Sequence, residues 1–270
     1  GLSQPAASNA LDRCRVLFED RLLERHGAAM RLTPIAEDLA PRIRSALAEV
    51  RAVLRPQNIN ASDLDATVRI ASADQPAASL LPELYARISA TSPGIRLVIQ
   101  PWQGGSAPID RLKQGDCDLA FSVIASTDGE VASQHVGEAR YVIVMRAEHP
   151  ATKAFGLESW LSWPHVLVSS DGTLATPLDG TLARRGLRRR IGLILPSFLM
   201  VPDVLRETDL IAALPHSCIS PDDAQFRSFE PPIEVEGFPL HLAWHKRQAG
   251  NPAVQHVASL ITSMMRRGLA

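Results

Sequence analysis

The chain has 270 residues, 46% of them hydrophobic, and a formal net charge of −1. That composition supports one large or two modest domains with a real core, and excludes a disordered chain or a uniformly basic nucleic-acid binder. No run reaches the roughly 18 to 20 apolar residues of a membrane-spanning helix, and no basic start leads into an apolar secretory core, so the expected setting is cytoplasmic with no membrane partner. The charge is unevenly spread, with nine Arg against seven acidic residues in 1–60 and 19 basic against 22 acidic beyond. A mildly basic end on an acidic body suits contact with a polyanion at that end. The three cysteines, Cys14, Cys117 and Cys218, are odd in number and scattered, without zinc-type spacing. They read as small apolar residues, and no metal or other cofactor is expected.

The first predicted element is a helix over Ser3 to about Phe18, with Ser3 as N-cap and Pro5 in the first turn, where a missing N–H costs little. Ala7, Ala10, Leu11, Cys14, Leu17 and Phe18 form its apolar face. The other face carries Gln4, Ser8, Asn9, Asp12 and Arg13. Gln and Asn can pair bidentately with an adenine edge and Arg with a guanine edge, so Gln4, Pro5, Ser8, Asn9 and Arg13 are candidate groove residues. An ordinary capped surface helix has the same pattern. Leu23 to Leu32 reads as a short hairpin turning at Gly27, with Arg25 as a further candidate phosphate or minor-groove contact.

Thr33-Pro34 caps and starts a long helix. Leu39, Ile43, Leu47, Val50 and Leu54 recur at three-to-four spacing, the seam of a helix meeting a partner helix. Pro41 falls inside this pattern and should bend it. Arg55-Pro56-Gln57-Asn58 breaks the helix, and Asn58 to Asp65 reads as a hinge.

The combination of helix, basic wing and long helix resembles the LysR-type transcriptional regulators. Their Ser-Gln-Pro-Ala motif, with Ser two residues on, is matched at Ser3 to Ala6 and Ser8. Asn9-Ala10-Leu11 and Phe18-Glu19-Asp20 are most similar to the subgroup of nodulation and aromatic-degradation regulators. The resemblance covers essentially the whole chain. It implies a homodimer or homotetramer that binds operator DNA and a small-molecule effector. A helix-turn-helix needs a bracing helix ahead of its reader, and roughly thirty residues holding the family's first two helices would precede Ser3. The chain is therefore expected to be a truncated regulator, with a partial winged helix-turn-helix over 1–33 and a linker over 34–64.

From Asp65 strands and helices alternate: strands at 67–73, 95–99, 118–123 and 141–145, and helices from Asp74 to about Ala90 and over 109–114. A second unit starts near Ala154, with helices at 157–163, 178–185 and 199–206 and strands at 165–169, 191–195 and 210–214. A strand at 240–244 and a helix from Asn251-Pro252 to about Arg267 close the chain. This order implies an α/β fold with mostly parallel, helix-covered sheets. The resemblance implies a two-lobed effector domain of the type 2 periplasmic-binding-protein kind over 65–270, with lobe I at 65–153 and 239–270 and lobe II at 154–238.

Ligands of such sheets bind beyond the carboxyl ends of strands. Those ends supply Ser72, Ala73, Asp74, Trp102, Gln103, Gly105, Ser106 and Ser122 from the first lobe. The second supplies Ser169, Ser170, Thr173 and Phe198. Hydroxyls, amides and two aromatic rings suit a small, partly aromatic, possibly anionic ligand. Helix capping is the plainer role for each Ser and Thr, and for Asp74. Catalysis has little support: His216 and Cys218 share a short loop, no nucleophile-elbow, phosphate-loop or dinucleotide glycine pattern occurs, and His241 and His245 lie in a strand-like run. Arg184, Arg185, Arg188, Arg189 and Arg190 read as a solvated helix end. The alternatives of a solute-binding protein or an enzyme on the same fold lack a secretory segment and a catalytic constellation respectively.

Overall fold

A computed structural model describes residues 4–26, 29–53, 60–104, 107–124, 129–174, 176–220 and 222–267. Helix α1 spans Gln4–Phe18, and strands β1, Leu23–His26, and β2, Ala29–Leu32, pair as an antiparallel hairpin. Asp20 ties helix to hairpin, its carboxylate accepting from Leu22 N and from the Thr33 hydroxyl, both at 2.6 Å. Thr33 Oγ1 in turn accepts from Ala36 N at 3.1 Å, capping helix α2, Pro34–Val53, as its sequence requires. Helix α2 continues through Pro41 as one element. The apolar face of α1 differs from expectation. Leu11, Cys14 and Phe18 are half-buried, whereas Ala7, Ala10 and Leu17 are exposed.

A short 3-10 turn, Ala61–Asp63, leads into the first five-stranded sheet, ordered β4-β3-β5-β12-β6. Here β3 is Ala66–Ser72, β4 Ile95–Pro101, β5 Leu119–Ser122, β6 Val131–Ala139 and β12 Phe238–His245. Strands β3, β4 and β5 are parallel, joined by helices α3, Asp74–Thr91, and α4, Ala107–Gln114. Leu80, Leu84 and Ile88 recur every four residues along α3 and meet Val254, Val257 and Ile261 of the terminal helix α8, Pro252–Arg267, over Val68 and Ile70 of β3. On the other face α4 packs Leu112 against Ala71, Ala120 and Ala243. Its carboxyl end is closed by Arg247, which donates to Leu112 O at 2.8 Å and Lys113 O at 2.9 Å.

The second sheet is ordered β11-β7-β10-β8-β9, with β7 Tyr141–Arg146, β8 Pro164–Val168, β9 Arg190–Leu195, β10 Ile211–Pro215 and β11 Phe226–Phe229. Helices α5, Leu157–Ser162, α6, Pro177–Arg184, and α7, Val201–Glu207, cover it. Strand β7 belongs to this sheet, so the first crossing between lobes lies at 139–141, not at the expected 153. The reason is that β6, unforeseen in the sequence, fills the edge of the first sheet and carries the chain across. The return crossing enters β12, where Phe238 pairs with Ala139 and its ring lies 5.1 Å from that of Tyr141. A Cβ on Gly237 would lie 2.8 Å from Ala139 O, so the two crossing strands approach as closely as glycine allows.

The arginine run is also corrected. Arg189 is buried, its guanidinium holding Asp179 at 2.7 Å and 2.9 Å, while Asp179 caps α6 through Thr176 N at 2.8 Å. A helix end that looks solvated in sequence therefore carries an internal ion pair.

Candidate effector cleft and DNA-reading helix

Gln4, Pro5, Ser8, Asn9 and Arg13 all lie exposed on α1, and Arg25 lies exposed on β1. The remaining charges of α1 are committed to each other: Arg15 pairs with Asp12 at 2.8 Å and donates to Arg21 O at 3.0 Å. Along α2, Ile43, Leu47 and Val50 are 40%, 50% and 54% exposed, an apolar stripe facing outward, with Leu39 half-buried. Leu54 lies outside the described residues, as do Ser3 and Gly27.

In the first lobe, Ser72 ends β3, buried beside Pro101 and Phe121. Its hydroxyl donates to Ala73 O at 3.0 Å, and its carbonyl accepts from Trp102 N at 3.1 Å. The turn after β4 is thus stitched to the end of β3, which brings Trp102 beside Ser72. The Trp102 indole N–H is buried with no partner among the described residues. Ser122 ends β5, buried and in register with His241. Gln103 is exposed, and Gly105 and Ser106 lie outside the described residues.

In the second lobe, the loop after β8 is organised by Asp171, which accepts from the Ser169 hydroxyl at 2.8 Å and Thr173 N at 2.9 Å. Those bonds, from Thr173 first and then Ser169, hold the Asp171 carboxyl at about 2. Ser169 therefore keeps its oxygen but not its proton for another partner. Thr173 is exposed, and Ser170 is half-buried across from the first lobe. A Cβ on Gly104, whose φ is +76°, would lie 3.2 Å from Ser170 Oγ, so the loops after β4 and β8 meet. Phe198 packs partly into the second core, with Val201 and Leu205.

Asp74 is the first residue of α3, whose N-cap is Ala73 without a side-chain cap bond. Its Oδ1 accepts from Gln75 N at 2.8 Å, and the carboxylate also accepts from the Ser197 hydroxyl and from the backbone N–H groups of Phe198 at 3.2 Å and Leu199 at 3.3 Å. The latter bonds run between the lobes, and the bond to Gln75 N is not the helix cap that the sequence led one to expect. Gln75, Ser197 and Ser217, which make further contacts here, carried no sequence signal beyond their places at helix starts and strand ends. Two open cavities, of about 590 Å³ and 610 Å³, lie elsewhere on the first lobe. The former shares only Gln103 with the expected site.

Fold and site together define a class: a two-lobed α/β binding domain joined by a long helix to a helix-and-wing element. Comparison with known proteins gives the family. The model of the LysR substrate binding domain matches residues 61–266. The chain is 26% identical to the HTH-type transcriptional activator NagR of Ralstonia over 268 residues, covering 98% of this chain and 89% of that protein. It is 29% identical over 254 residues to the HTH-type transcriptional activator NahR of Pseudomonas putida, covering 92% and 83%. Among solved structures, the regulatory domain of MexT, a transcriptional activator in Pseudomonas aeruginosa, is 28% identical with a TM-score of 0.64, covering 75% of this chain and 98% of that one. Full-length OxyR of the same species shares the fold at 17% identity, with a TM-score of 0.73 over 98% of this chain and 86% of that one. The chain belongs to the LysR family of transcriptional regulators, which bind DNA and small-molecule effectors and usually work as oligomers. These relatives carry the names of regulators rather than of enzymes. Among the described residues no helix is long and apolar enough to cross a membrane.

Proposed function

We propose that this regulator senses a small aromatic or anionic effector in the cleft between its lobes. In this reading residues 1–33 are the DNA-binding part, 34–64 the linker and 65–270 the effector domain. Helix α1 enters the major groove with Gln4, Ser8, Asn9 and Arg13, while Arg25 of the wing contacts the backbone. The α2 seam of Leu39, Ile43, Leu47, Val50 and Leu54 pairs two copies into a homodimer, and effector-domain edges allow a homotetramer. A partner as confined as operator DNA implies a cytoplasmic location.

The observation that carries the reading is the convergence of candidates from both lobes. The turn holding Trp102 is bonded to Ser72, Gly104 meets Ser170, and the N–H of Phe198 reaches Asp74. Hydroxyls at strand ends and two rings from opposite lobes give a ligand polar partners at its rim and apolar contact along its faces. The effector shifts a population: it favours one lobe closure, which changes the placement of the DNA-reading helices. A thermal-shift screen against phenolic acids and flavonoids tests this. A hit should lose about tenfold or more in affinity in Phe198→Ala and Ser72→Ala chains that melt normally. A hit whose affinity survives both substitutions moves the site out of the cleft.

A further inference from the structure

Two consecutive side chains at the start of α3 reach across to the other lobe at two separate places. Asp74 accepts from Ser197 Oγ, Phe198 N and Leu199 N, all in the segment following β9. Gln75, a buried residue, donates from Nε2 to Ser217 O at 2.6 Å and accepts at Oε1 from Ser217 Oγ at 3.3 Å, in the segment following β10. In the second sheet β9 and β10 flank β8 on either side. The two contacts therefore straddle the loop that carries Ser169 and Ser170. The first turn of α3 is set down across the carboxyl end of the second sheet, over the cleft itself.

The chemistry favours a firm hold. A carboxylate accepting several N–H and O–H bonds at once makes charge-assisted bonds, stronger than neutral ones. Gln75 is further fixed by donating to Ser79 Oγ at 3.0 Å within its own helix. The charge of Asp74 is felt beyond its partners: burial, and after it this carboxylate, push the neighbouring Cys218 thiol up to about 12. Helix α3 cannot tilt freely to relieve the contact, because Leu84 and Ile88 are locked in the core of the first lobe.

We propose that Asp74 and Gln75 form an interlobe clasp that fixes lobe closure in the chain without effector. Its role in switching rests on reading the cleft as the effector site: a ligand that changes lobe closure must break or remake these bonds. Neither residue need touch the ligand; both position the lobes.

Amide hydrogen exchange on the ligand-free full chain tests the clasp directly. In Asp74→Ala, the amides of Phe198 and Leu199 should exchange about tenfold faster or more, the loss of one charge-assisted bond. The amides of Ile211 to Leu214 in β10 should be unmoved. Ser197→Ala, a milder change on the opposite lobe, should speed exchange at the Gln75 amide of α3, and its effect should vanish in the Asp74→Ala background. A residue that merely caps its own helix would not respond to a substitution in the other lobe. Unchanged exchange at Phe198 and Leu199 in a normally melting Asp74→Ala chain overturns the proposal. If that variant fails to fold, absence of any Ser197→Ala effect on Gln75 overturns it equally. None of these measurements needs an effector, so they judge the clasp whether or not the cleft takes a ligand.

Discussion

The residues before Val53 and those after Asn60 differ in how much of their apolar surface they bury. In the first region, among the residues whose side chains are described, Thr33 and Ala36 are buried, while Val16 and Leu17 are 79% and 74% exposed and Ile43, Leu47 and Val50 line the outer face of α2. In the second region both lobes close over cores whose central residues, such as Leu84, Trp160 and Leu205, are fully buried. Burial of apolar surface is the main favourable term in folding and in association alike. The effector region has spent most of its apolar surface internally, although Tyr85, Leu174, Leu199 and Met200 stay exposed. The helix, wing and linker hold theirs outward, where only another chain or segment can cover it. Substitutions should therefore act on stability in one region and on association in the other.

The largest expected effect lies in the second lobe. Arg189 has a side chain 2% exposed, paired with Asp179 at 22%. Asp179→Ala strands a buried guanidinium and removes the α6 cap, and should cost about 3–5 kcal/mol in urea unfolding. A cost near that of a surface pair would show that this interior is wetter than the comparison requires.

Acid should act on the same lobe. His165 is fully buried, its Nε2 donating to Trp160 O at 3.0 Å, and burial holds it neutral down to about 4. Buried His149, with its Nε2 bonded to Asp209 O, is also pushed down by burial. In the unfolded chain both take up protons near 6.5. The unfolded state therefore binds more protons below that pH, and stability must fall as pH drops from about 6.5 toward 4, by roughly 3 kcal/mol for His165 alone. His165→Gln should flatten most of that slope. A slope as steep in the variant would assign it to other groups.

How much of this was legible in the sequence depends on the range of the interaction. Helix starts are local patterns, so Thr33-Pro34 and the helix opening at Asp74 announced themselves. The strand–helix alternation pointed to mostly parallel, helix-covered sheets, and the two-lobed class came from the resemblance that the motif at Ser3 to Ala6 and Ser8 carries. The lobe boundary did not show, because β6 carries Ser133, Gln134, His135 and Glu138, too polar to read as a strand, and is held by pairing with β12 from the far end of the chain. The Asp179–Arg189 pair was hidden inside a run of arginines that looks solvated. Among the proposed site residues, Ser72, Trp102, Ser170 and Phe198 follow from the rule that loops after parallel strands meet. Gln75 and Ser217 do not, since their contact spans 142 positions and depends on how one lobe is set on the other.

In the first region the readouts change. Leu47→Glu should abolish or weaken an oligomer seen by sedimentation while leaving the unfolding of the chain nearly unaltered, since Leu47 is 50% exposed. An unchanged oligomer would remove α2 as the pairing helix. Gln4→Ala should cost about 1–3 kcal/mol of operator affinity and relax preference at one base position, without a change in unfolding. Unaltered operator binding would mean that α1 is not the reader.

The smallest effect completes the contrast, because it concerns the same two residue types as the largest. Arg15 and Asp12 also form an Arg–Asp pair at 2.8 Å, but with side chains 37% and 60% exposed and only three residues apart on α1. In water the Coulomb gain is small and is offset by holding two side chains still. Arg15 keeps its bond to Arg21 O when the carboxylate goes, so nothing buried is left unpaired. Asp12→Ala should therefore shift unfolding by no more than about 0.5 kcal/mol. Because Asp12 lies exposed on the face proposed to meet DNA, losing its charge should instead tighten operator binding modestly, and more at low salt than at high. A loss of stability comparable to that of Asp179→Ala would erase the distinction between the two regions. Weaker operator binding would turn that face of α1 away from the phosphates.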